Sequence, residues 1–158
     1  MKKFGIEIKW GIIFTLALLI WMLFEKSMGW HDKLISKHAI YTNFFAIIAI
    51  IIYILALLDK KKNFYKGKMS WSQGFVSGIV VSVVVAILSP VTQYITSEII
   101  TPDYFENVIN YAVETGSMDR ENAEAYFNLK SYMLQSFFMA LVMGVVTSAV
   151  VAWFVKKK

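Results

Sequence analysis

Two histidines, His31 and His38, stand seven residues apart between the first two apolar runs, with Glu25 and Asp32 beside them. Imidazole with carboxylate is a donor set for divalent metals, and on a helix a step of seven returns to the same face. No HExxH or other ligand spacing accompanies them, so the pair reads as surface histidines, with a divalent metal site as the alternative. The chain has no cysteine, which excludes disulfides, thiolate metal sites and cysteine nucleophiles. No serine–histidine–acid set, phosphate-cradling glycine loop or carboxylate pair in an apolar pocket is recognisable, so neither an enzyme nor a cofactor is expected. The firm apolar runs carry hydroxyls and amides such as Asn43, Gln93 and Gln135, and no charged side chain. Ion-coupled transport therefore lacks its usual charged parts.

The surrounding elements are dictated by composition. The 158 residues are 58% hydrophobic and 17% charged, against roughly 45–50% and 25% in soluble domains. Four long apolar runs, at 10–24, 40–58, 74–94 and 132–155, approach the ~20 helical residues that cross a hydrocarbon layer. The first is short and needs 4–9 to complete it, with Glu7 and Lys9 reaching back to headgroups. The expected fold is all-α, a single membrane domain over 1–158 with spans at about 5–24, 40–58, 72–95 and 132–155. Met1-Lys2-Lys3 resembles the start of a signal peptide, but Ser27-Met28-Gly29 with Glu25-Lys26 beside it is a poor cleavage site, so retention is expected.

Charge sets the orientation. With the amino terminus inside, Lys2, Lys3, Lys9, Lys60, Lys61, Lys62, Lys66, Lys68, Lys156, Lys157 and Lys158 lie inside. Only Lys26, Lys33, Lys37, Arg120 and Lys130 lie outside, so both termini are expected in the cytoplasm. The net charge of +5 is therefore read as anionic-lipid contact, with Lys60, Lys61, Lys62, Lys66 and Lys68 at the headgroups, and not as nucleic-acid binding. The outer segment 101–131 is expected to be helical. Thr101-Pro102-Asp103 reads as N-cap, first-turn proline and first-turn acid, and Thr115-Gly116 as the end of that helix. Ser117 is a candidate cap for a further helix, and nothing after Met118 predicts a break before Val155.

Helices in lipid associate through close packing at small residues. Gly74, Gly78, Ser82 and Ala86 recur every four positions in the third run, and Ala140, Gly144 and Ser148 do so in the fourth. Packing of spans three and four against each other is the favoured reading, and a homo-oligomer interface the alternative. Pro90 removes a backbone donor and predicts a packed kink, with Ser89, Thr92 and Gln93 available to the freed groups.

Several segments resemble a bacterial family of four-span membrane proteins catalogued as domain of unknown function 4199. They are Gly29-Trp30-His31-Asp32, the lysine-rich loop, Met69-Ser70-Trp71-Ser72-Gln73-Gly74-Phe75 and Ile100-Thr101-Pro102-Asp103-Tyr104-Phe105-Glu106. The resemblance implies a four-helix protein of the bacterial inner (plasma) membrane and carries over no catalytic or binding residue. The expected role is non-catalytic, acting by helix–helix association with a second copy or another membrane protein. The alternatives are a small oligomeric channel or transporter lined by Asn43, Gln93 and Gln135, and an envelope sensor using 102–131 as its ligand surface.

Overall fold

Four helices whose apolar side chains run the depth of a bilayer form the body of the computed structural model, which describes residues 4–157. Lys2, Lys3 and Lys158, counted above among the basic flanks, lie outside the described residues. The helices are α1 (Gly5–Ser27), α2 (Ile35–Tyr41), α3 (Phe45–Asn63), α4 (Trp71–Tyr94), α5 (Tyr104–Glu114), α6 (Arg120–Tyr126) and α7 (Leu129–Val155). A 3₁₀ turn, Thr42–Phe44, joins α2 to α3, and a π-helical segment, Ile95–Ile100, extends α4. The described residues contain no strand. Four helical stretches, 23 to 30 residues long, are long and apolar enough to cross a membrane. The protein is an all-α, multi-pass membrane protein.

In lipid every backbone polar group must be bonded within the segment, which is why these runs are helices. Large side chains such as Ile20, Ile47, Ile87 and Phe138 face outward. Small ones face inward, where α4 and α7 run antiparallel. A Cβ built on Gly74 would lie 3.2 Å from Ala152 Cβ, and one on Gly78 would lie 2.6 Å from Ser148 Cβ. One on Gly144 would overlap Ser82. Three pairs thus step four residues along α4 and four back along α7, and the two backbones approach more closely than any larger side chain permits. Ala86 is buried on the same face, and Ala140 packs against the core. Ser82 and Ser148 donate to the carbonyls of Gly78 and Gly144 at 2.9 and 2.5 Å, which satisfies both hydroxyls inside their own helices. Tyr53 of α3 reaches this seam, 2.8 Å from Ser82 Oγ, and with Ala56, Leu57, Val81, Val85 and Val151 completes the core.

α4 passes through Pro90 without a break. Proline frees the carbonyl four residues earlier, that of Ala86, and the Ser89 hydroxyl donates to it at 2.8 Å. The departure from α geometry comes one turn later, in the π segment.

Two expectations need correction. Thr101 does not cap α5: its N–H closes the preceding helix on Thr96 O at 2.8 Å, so α5 starts at Tyr104 with Asp103 before it. The fourth span is not one helix from Ser117. Asp119, not Ser117, caps α6 by accepting from Asn122 N–H at 2.9 Å, and the chain breaks again at Phe127–Asn128. The Asn128 side chain then caps α7, accepting from Ser131 N–H at 2.9 Å. Asp and Asn offer the backbone a partner that competes with helix continuation. α5 ends as expected, with Gly116 at positive φ and Ser117 N–H returned to Ala112 O.

Candidate metal centre at the capped end of the bundle

α1 ends in a turn of aromatic and charged residues that points one carboxylate inward. Glu25 lies four residues after Trp21, so both side chains share a face, and the Trp21 indole N–H donates to Glu25 Oε1. The chain then reverses through Gly29, whose φ of 73° is in the left-handed region, and Trp30 N–H and Leu34 N–H bond back to Glu25 O and Gly29 O. This reversal lays His31 under α1, and α2 supplies His38. His31 Nε2 lies 2.8 Å and His38 Nε2 3.2 Å from Glu25 Oε2. The side chains of Glu25, His31 and His38 are 0%, 4% and 19% exposed. The histidines are therefore not a surface pair, which corrects the sequence reading. What buries them is distant in the chain.

The cover comes from α5 and α7. Tyr104 is buried with its hydroxyl 3.3 Å from His38 Nδ1 and 3.5 Å from the Tyr132 hydroxyl, and Asn107 donates to His31 O at 3.0 Å. Burial pushes the Tyr104 phenol well above its usual range, with the neighbouring Tyr132 adding to the effect, so it stays protonated at any ordinary pH. Trp30 stacks among Trp21, Phe24 and Tyr41 at 4.8–6.3 Å between ring centres and shields the cluster laterally.

One donor atom from each of Glu25, His31 and His38 lies within 4.8 Å of the others. Tetrahedral zinc with bonds of ~2.0–2.1 Å spaces its donors about 3.3 Å apart. The two carboxylate–imidazole separations, 2.8 and 3.2 Å, come within about half an ångström of that, and the imidazole–imidazole separation, within 4.8 Å, needs the larger adjustment. The supporting shell fits at Glu25 and His38. Ligating histidines ordinarily donate their second ring N–H, and ligating carboxylates are hydrogen-bonded in turn. Tyr104 stands at His38 Nδ1 and Trp21 holds Glu25 Oε1, while both Nε2 atoms meet at Glu25 Oε2. His31 Nδ1 is buried without a hydrogen-bond partner among the described residues. A cavity of about 170 Å³ adjoins the histidines; its wall is mostly apolar in surface, and Thr42, Thr96, Ser97, Thr101, Tyr104 and Tyr132 are among the residues that line it.

A family model described as "Protein of unknown function (DUF4199)" matches residues 9–157. The chain belongs to this family. No curated protein and no solved structure matches it. The matched stretch of this DUF4199 chain takes in Glu25, His31, His38 and Tyr104, and begins after Glu7.

At the opposite end of the bundle the DUF4199 chain holds a second buried carboxylate. Lys60 Nζ and the Ser77 hydroxyl both donate to Glu7 Oε1 at 2.8 Å, with the ionic side chains 3% and 2% exposed. Lys60 is therefore not at the headgroups, and Glu7 does not reach back to them; both readings are corrected. Each end of a span offers a long side chain two solutions, water or a partner, and here α1, α3 and α4 meet closely enough for the partner to win. Lys61 is half-buried and donates to Val155 O at 2.7 Å, while Lys62, Lys66 and Lys68 are exposed. Lys9 pairs with Asp59. Asn43, Gln93 and Gln135 bond locally: Asn43 donates to Ala39 O, Tyr126 to Gln135, and Gln93 to Ser97. Trp21 was within reach of sequence reasoning through its i, i+4 relation to Glu25. Tyr104 and Asn107, more than sixty residues from the histidines, were not.

Proposed function

We propose that this membrane protein binds a first-row divalent transition ion, of the zinc or iron(II) class, through Glu25, His31 and His38. The observation that supports this best is one carboxylate oxygen and two imidazole nitrogens gathered out of solvent, with Trp21 at the carboxylate and Tyr104 at His38 as outer partners. Two histidines and one carboxylate form the protein donor set of open zinc sites and of non-haem iron sites. In this reading the end with Glu25, His31 and His38 faces outward from a bacterial inner membrane, and both termini and exposed Lys62, Lys66 and Lys68 lie inside against anionic headgroups; the lysine bias supports it. The ligands come from a span, from the turn after it and from the helix that runs on into the next, and α5 closes over them. The reading is thus ion binding that ties the outer cap to the spans, not catalysis. Association with a second copy or another membrane protein would use the lipid-facing surfaces, because Gly74, Gly78 and Gly144 are already filled within the chain.

The test is calorimetric. Detergent-purified protein, stripped with a chelator, is titrated with Zn²⁺, beside Glu25→Gln and a His31→Ala/His38→Ala double variant, with Asp32→Asn as the control. The expected result is one ion per chain for wild type and D32N, and loss of binding in the others while their tryptophan fluorescence stays native. Zinc uptake by the double variant equal to wild type, or no uptake by wild type, overturns the proposal and leaves a hydrogen-bonded latch.

A further inference from the structure

Three protein donors leave a fourth position of a tetrahedral shell open. The 170 Å³ cavity beside the same histidines is more than ten times the ~10–15 Å³ that houses a single water. We propose that this cavity takes a small carboxylate monoanion, held jointly by the metal and by the hydroxyls of the cavity wall. The inference rests on the metal reading above and names the ligand of that site.

Charge comes first. A divalent ion with one carboxylate ligand, Glu25, leaves a net single positive charge, and the residues that line the cavity include no acid, lysine or arginine. A monoanion is the complement; a dianion would leave buried negative charge, and a cation would meet like charge. The wall chemistry comes second. Thr96, Ser97 and Thr101 are each buried, and Gln93 donates to Ser97 Oγ at 2.8 Å, which leaves the Ser97 O–H to donate elsewhere. Tyr104 and Tyr132 add phenol groups to the lining. Hydroxyl-bearing residues in a mostly apolar wall, beside one open metal position, suit a small ligand with two acceptor oxygens, one for the ion and one for the wall. The backbone comes third: Thr96 and Ser97 lie on the π segment Ile95–Ile100, where the wider turn brings both to the wall. Such segments occur frequently at functional sites.

The experiment uses cobalt(II) as the ion, in the full-length protein in detergent, and follows its visible bands. Acetate is the probe and chloride the competing arm. The expected result is a saturable band shift with acetate, weaker with chloride, and an acetate affinity reduced about tenfold or more in Thr96→Val/Ser97→Ala, the loss expected for a hydrogen bond to a charged group. Cobalt affinity in that variant should equal wild type. Cobalt bands indifferent to acetate sink the anion site and leave the metal centre standing. Chloride binding tighter than acetate, or an unchanged acetate affinity in the variant, also overturns the proposal. No cobalt band at all sinks the metal centre and the anion site together.

Discussion

Removing the ammonium of Lys60 should be among the most damaging single changes available in this chain. Lys60 Nζ and Glu7 Oε1 are 2.8 Å apart, and both side chains are almost wholly out of solvent. In Lys60→Met the Glu7 carboxylate keeps only the Ser77 hydroxyl as a partner among the described residues, while its Oε2 has none already. Breaking a buried pair from one side typically costs about 3–5 kcal/mol, because a desolvated charge is left behind. Replacing both partners by apolar residues of similar size is near neutral or stabilising by about 1–4 kcal/mol. Glu7→Leu/Lys60→Met should therefore recover all that Lys60→Met loses, and Ser77→Ala alone should cost about 1.5–3 kcal/mol, one charge-assisted bond. Reversible unfolding in mixed micelles, followed by tryptophan fluorescence, measures all three against wild type. A Lys60→Met protein within about 0.5 kcal/mol of wild type, the range of ordinary surface changes, would refute the burial argument. So would a double variant no better than the single one.

Gly78→Val should destabilise by about 1–3 kcal/mol or more, since its Cβ would sit 2.6 Å from Ser148 Cβ, whereas Gly5→Ala, with open space around it, should be silent; the same unfolding assay compares them. Asn128→Ala should cost about 1 kcal/mol by removing the α7 cap, measured in the same way, and equal stability would mean that the break before α7 needs no cap. Tyr104→Phe keeps the ring packing and loses the hydroxyl at His38, so zinc affinity should fall about 10–100-fold with little change in unfolding free energy.

The spans were legible because an apolar run of bilayer length has one stable solution, and that solution depends on local sequence alone. The spacing of four in Gly74, Gly78 and Ser82 and in Gly144 and Ser148 was visible too, although which residue faces which follows only once the helices run antiparallel. The buried charges were not legible. Glu7 and Lys60 each sit near a span end, where a headgroup and a partner satisfy a long side chain equally well, and fifty-three residues separate them. His31 and His38 were noticed for their spacing but read as wet, because the residues that bury them, Tyr104 and Tyr132, arrive from a returning segment. The break at Asn128 was written in the sequence as a capping side chain three residues before Ser131, a signal weaker than the apolar periodicity around it.

The most direct test of the metal centre is zinc X-ray absorption on the loaded, full-length protein. Glu25, His31 and His38 as ligands predict an average of two imidazoles with oxygen donors at ~2.0–2.1 Å and no sulfur. A spectrum with oxygen-only coordination and no imidazole scattering would contradict the site.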